Sequence, residues 1–139
     1  MKNIIKIIPV LFLFLACNSK VSTEELSKIN GYWEVSLVET PDGAEKEYGM
    51  STTVDFFEIK DGKGFRQKVM PQLEGKYLTN EVKELITVKD SASSLYLNYK
   101  TDYANWSEEI IKVTDDVLVT KNDQDFIYHY KRFEPIIIE

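Results

Sequence analysis

Gly31-Tyr32-Trp33-Glu34-Val35-Ser36-Leu37 reads as a strand from its alternation alone: Trp33, Val35 and Leu37 interleave with Tyr32, Glu34 and Ser36. A period of two sends one row of side chains to a core and the other toward water. The same grammar continues downstream. Pro41-Asp42-Gly43 breaks the first strand, and a polar loop is expected to about Gly49. Residues 52–60 are rich in β-branched and aromatic side chains, and Asp61-Gly62-Lys63-Gly64 then turns the chain into 65–70. Pro71 interrupts. Short strands are predicted at 75–78, 85–89, 95–100, 109–114 and 117–121, with turn-forming residues between them.

The last strand, 126–133, is the clearest of the set. Phe126, Tyr128, Tyr130 and Arg132 share one face, and Ile127, His129 and Lys131 share the other. No segment after residue 30 carries a helical period. Before it, Ser22 and Glu25 have the spacing of a capping box, Leu26 and Ile29 supply an apolar stripe, and Asn30-Gly31 ends the turn. The expectation is an all-β, antiparallel, up-and-down barrel of eight or nine short strands behind a short N-terminal helix, with a sandwich or a half-open barrel as the structural runner-up.

The N-terminus reads as an address. Lys2 and Lys6 open an apolar run from Ile4 to Ala16, and Phe14-Leu15-Ala16-Cys17 ends it at the only cysteine of the 139 residues. The run is too short for the ~20 residues of a membrane-spanning helix and suits a cleaved signal. It resembles the lipobox of a bacterial lipoprotein. That resemblance implies a signal peptide over 1–16, lipidation of Cys17, a tether over 17–22, a barrel domain over 23–134 and an apolar tail over 135–139. Each acyl methylene buried in a bilayer adds about 0.8 kcal/mol, and two or more chains make the attachment stable. Asn18, rather than Asp, after the cysteine points to the outer membrane, with the domain facing the periplasm.

Removing residues 1–16 takes two lysines and leaves 15 basic against 23 acidic residues, a net charge of −8. Nucleic acid needs a basic face to neutralise phosphates, so it is excluded as a partner. With Cys17 committed to lipid, disulfides, thiolate zinc sites and thiol catalysis are excluded too.

The Gly31-x-Trp33 opening and the Tyr130-Lys131-Arg132-Phe133 ending resemble the lipocalin-like domains of bacterial lipoproteins. Asp61-Gly62, Gly75-x-Tyr77 and Asp116-x-Leu118 add to the pattern, which covers roughly residues 29–134. The resemblance implies that Trp33 lies at the closed end of a barrel, with Arg132 packed over its ring. Gly31, Trp33 and Arg132 would be the structural signature.

Side chains for chemistry are few. One imidazole, His129, and no spare thiol do not make a catalytic metal site, so neither a metal nor a cofactor is expected. Gly62 and Gly64 lie between strands rather than before a helix, which makes them turn residues and not a phosphate loop. Glu108-Glu109, Asp115-Asp116, Asp123 and Asp125 are numerous, but adjacent carboxylates on a strand point to opposite faces. The tyrosines and tryptophans either fill the barrel or line a pocket, and a mostly filled interior with a shallow pocket at the open end is expected.

Three functions remain. The first is a non-enzymatic binder of a small apolar molecule, with Leu97, Tyr99, Tyr128 and Tyr130 as candidate ligand contacts. The second is a structural or protein-interaction module with a solid barrel, docking a partner through its surface or through Ile136, Ile137 and Ile138. The third is a carboxylate-dependent enzyme.

Overall fold

A computed structural model describes residues 20–139, so the signal peptide expected over 1–16 and the expected lipidation site, Cys17, lie outside the described residues. Ten strands form one antiparallel sheet: β1 (Gly31–Glu39), β2 (Glu45–Glu47), β3 (Val54–Lys60), β4 (Lys63–Pro71), β5 (Tyr77–Thr79), β6 (Glu84–Asp90), β7 (Leu95–Lys100), β8 (Asn105–Val113), β9 (Val117–Asn122) and β10 (Ile127–Arg132). Eight of them, all but β2 and β5, run in chain order around a ring that closes where β10 pairs with β1. The result is an up-and-down barrel, and closure removes the long free edges that an open sheet would expose.

Local chemistry sets the corners. Asp61 (φ 53) and Gly62 (φ 76) are the two-residue turn between β3 and β4, with Lys60 paired to Lys63. Positive φ at both positions gives the twist that matches antiparallel strands. The Asn122 side chain accepts from the backbone N–H groups of Gln124 and Phe126 (3.0 Å each), shaping the β9–β10 turn.

One extra strand, β2, and two bulges depart from the sequence expectation of eight or nine strands, while β5 falls at the strand predicted over 75–78. β2 lies in the segment expected to be a polar loop; it pairs with the second half of β1, while β3 pairs only with the first half, Gly31–Trp33. The wall therefore splays between β1 and β3 at one end. A register shift between Val35 and Leu37 reverses the alternation of β1. Leu37, expected on the face of Trp33, instead faces outward opposite His129, and Val38 opposite Tyr128 takes the inner position. A bulge costs one residue of register, and every later side chain changes face.

The closed end is a plug of side chains. A 3-10 helix over Glu25–Ile29 crosses it, and Val21, Leu26 and Ile29 join the core beside Trp33, Ile59, Val113 and Leu118. Ser22 and Glu25 make the reciprocal bonds of a capping box: Ser22 N–H donates to Glu25 Oε2 (2.8 Å) and Glu25 N–H donates to Ser22 Oγ (3.2 Å). The Ser22 N–H and then the Ser22 hydroxyl (3.1 Å), both donating to Glu25 Oε2, hold the Glu25 carboxyl below its ordinary pKa. Lys20 is bound at the same end, donating to Asp90 and to the Ser91 carbonyl (2.6 Å).

Part of the aromatic content sits outside the barrel. Tyr77, on β5, stacks on Tyr32 (4.1 Å between centroids), Tyr32 meets Phe56 (4.8 Å), and Phe133 meets Tyr77 edge-on (6.4 Å). This cluster covers the outer face of β3 and β4, where Phe56, Phe65 and Val69 turn away from the interior.

Candidate functional site

Trp33 and Arg132 are brought together at the closed end. Trp33 has no exposed surface, and its Nε1 donates to the Ile29 carbonyl at 2.7 Å. The Arg132 guanidinium lies 3.9 Å above the indole and donates to three carbonyls: Asp115 (2.7 Å), Asn30 (2.7 Å) and Lys28 (2.6 Å). Gly31 makes room for it. Its φ is +115°, and a Cβ there would stand 2.8 Å from an Arg132 nitrogen. One guanidinium thus ties the plug, the β8–β9 turn and the tryptophan into a single closure, which is structural rather than chemical work.

The other end is hollow. A cleft of about 480 Å³ opens between the β9–β10 turn and the inner faces of β1, β3, β4 and β8. Val35, Trp106 and Tyr128 form its sides, and Arg66, Glu108 and Tyr130 lie deepest. A second space of about 300 Å³ continues it through the gap between β1 and β3, under Tyr48 and Met50. Because the two share Val35, Asp55, Lys68 and Tyr128, they form one branching opening.

The floor is charged, which the sequence did not disclose. Arg66 Nε donates to Glu84 (2.5 Å), and the guanidinium reaches Glu108 Oε1 at 3.5 Å while lying 4.5 Å over the Tyr99 ring. Burial works against this cation, but Tyr99, Glu84, Tyr130 and Glu108 more than offset it, so its pKa stays above the ordinary value. Asp55 pairs with Lys68 across the β3–β4 ladder (2.9 Å). Glu108 is 6% exposed; besides Arg66 it receives Trp106 Nε1 (3.3 Å) and the Tyr99 hydroxyl (3.4 Å).

Of the four candidate ligand contacts, the cleft takes two. Tyr128 and Tyr130 line it. Tyr99 lies beneath, 1% exposed and stacked on Trp106 at 5.0 Å, so it supports the wall instead of forming it. Leu97 belongs to the packed core, with no exposed surface. Elsewhere, Tyr103 is 98% exposed on the β7–β8 turn, and His129 sits outside the barrel with Nε2 2.7 Å from Glu39 Oε2. Among the described residues, no group of three or more His, Cys, Asp or Glu side chains is placed to hold a metal ion, and no helix is long and apolar enough to cross a membrane.

Burial raises the hydroxyl pKa of Tyr99 and Tyr130 well above the usual value, and neighbouring Glu108 and Asp55 push the same way against Arg66. A folded pKa above the unfolded one means stability that is fully present below pH ~10 and lost as pH rises through the folded value. We therefore expect an alkaline titration followed at 295 nm to show these two of the eight tyrosines ionising only together with loss of the β circular-dichroism signal. Ionisation of all eight while the fold persists would contradict their burial.

No protein-family model matches the chain, and no curated protein matches it. Among solved structures, a lipocalin-like protein from Bacteroides uniformis is similar with a TM-score of 0.47 at 8% identity, over 76% of this chain and 99% of that one. The barrel stands on its own strand pairing, closed where β10 meets β1.

Proposed function

We propose that the chain is a lipid-anchored, non-enzymatic binder that holds a small molecule with an apolar body in the mouth of a lipocalin-like barrel. The observation that supports this reading is the contrast between the two ends. The plug end is packed solid by Trp33, Phe57, Leu95 and Leu118, whereas the mouth keeps about 480 Å³ open between aromatic side chains. That volume lies within the range of small-molecule pockets. Carboxylates set against Arg66 and Lys68 suit ion pairing and recognition more than proton transfer, which favours a binder over an enzyme.

Lipidation of Cys17 would also set the orientation. Only Asn18 and Ser19 separate it from Lys20, which is held at the plug end, so the barrel floor would stand within about 12 Å of the bilayer. The mouth then opens away from the outer membrane into the periplasm, and cargo arrives through water.

Native mass spectrometry of residues 19–139, purified without detergent, tests the binder reading. The expected result is a reproducible extra mass that leaves on denaturation and is absent from a Tyr128→Trp variant. A clean apo mass that persists when lipids, haem and quinones are offered would overturn the reading for those ligands. The interaction-module reading keeps one observation in its favour. Leu73, Leu78, Ile137 and Ile138 are exposed on one flank, where the Glu74 N–H donates to the Ile136 carbonyl (3.1 Å).

A further inference from the structure

The charges inside the mouth do not cancel. Arg66 spends its short bond on Glu84 (2.5 Å), and Lys68 spends its own on Asp55 (2.9 Å). Glu108 is left with contacts of 3.3–3.5 Å only, from Trp106, Tyr99 and a second nitrogen of Arg66. A carboxylate this buried ordinarily takes shorter charge-assisted bonds of about 2.7–2.9 Å. Asp123 adds a further negative group at the rim, so the cleft is lined by three carboxylates and two cations. Trp106 and Tyr128 line the same cleft as Glu108, and aromatic rings attract a cation. The whole chain, at −6, reinforces the sign of the local field.

We infer that the mouth cleft recognises the positively charged head of a small organic amine, with Glu108 as its counter-ion and Trp106 and Tyr128 against its apolar body. This rests on the small-molecule reading above and narrows it to a ligand class. An anionic head would meet Asp55, Glu108 and Asp123 with both cations already engaged, so carboxylates are selected against.

Three probes that share a phenyl ring separate the cases: 2-phenylethylammonium, 2-phenylethanol and 3-phenylpropanoate. Each is titrated by calorimetry into the full chain in a non-ionic detergent at pH 7. The ammonium is expected to bind at least about tenfold tighter than the alcohol, with the propanoate weakest. Glu108→Gln should abolish that preference. Tyr128→Leu, at a half-buried position outside the ion pairs, should weaken the ammonium by several fold and serves if Glu108→Gln does not fold. Equal or tighter binding of the alcohol or the propanoate would overturn the cation reading while leaving a small-molecule binder. Binding of none of the three overturns the cation reading too, and the native mass then decides separately whether another small molecule occupies the mouth. An ammonium preference unchanged in both variants would place the site elsewhere and overturn the assignment to this cleft.

Discussion

Trp33→Ala is expected to cost about 3–5 kcal/mol of stability, the range for deleting a large aromatic side chain from a packed core. The indole has no exposed surface, so its removal leaves a cavity between the 3-10 helix and the barrel floor. It also leaves the Ile29 carbonyl without its 2.7 Å donor and Arg132 without the ring beneath its guanidinium. Domains of this size are stable by roughly 5–15 kcal/mol in total, so the variant should be near the edge of folding. Urea unfolding followed by circular dichroism, with Trp106 as a second probe, measures it. Trp33→Phe keeps most of the ring and loses the indole N–H, and should fall well short of the full effect. A loss below about 1 kcal/mol for Trp33→Ala would mean that the plug is not what closes the barrel.

Arg66→Met should be comparably damaging for an electrostatic reason. It removes the cation between Glu84 and Glu108 and leaves Glu108 almost fully buried with only weak neutral donors. Breaking a buried ion pair from one side costs about 3–5 kcal/mol, mainly through the charge left behind. The diagnostic comparison is the double variant Arg66→Met/Glu108→Gln, expected to recover a good part of that loss because the stranded carboxylate is gone. The four unfolding free energies form a double-mutant cycle. Strict additivity would show that Arg66 acts through packing over Tyr99 and not through its charge.

These two residues differ in how far they could be read from the chain. Trp33 belongs to an alternating segment, and its partner Arg132 lies on the tyrosine-bearing face of the last strand; both parities are local properties. Arg66 carries no such sign. Phe65, Gln67 and Val69 alternate with it, and the apolar members of that set suggest an inner face that excludes arginine. β4 does the reverse: Arg66 pairs with Phe57 on the inside, while Phe65 and Val69 face outward under the Tyr32–Tyr77 stack. Glu108 escaped for a related reason. The strand was expected to begin at Glu109, whereas β8 begins at Asn105 and so carries Trp106 and Glu108 into the barrel.

By itself, then, the sequence determined the antiparallel all-β class and most corners, including Asp61-Gly62, because alternation and turn chemistry act over a few neighbouring residues. Only the tertiary structure decided which face of each strand became the interior, that the ring closes at eight strands, and that a charged cleft remains at one end. Those outcomes depend on pairings between strands up to a hundred residues apart and on bulges that reverse parity by one residue. A buried Arg66 is tolerated only because Glu84 and Glu108 arrive from two other strands, and nothing near residue 66 in the chain records that they will.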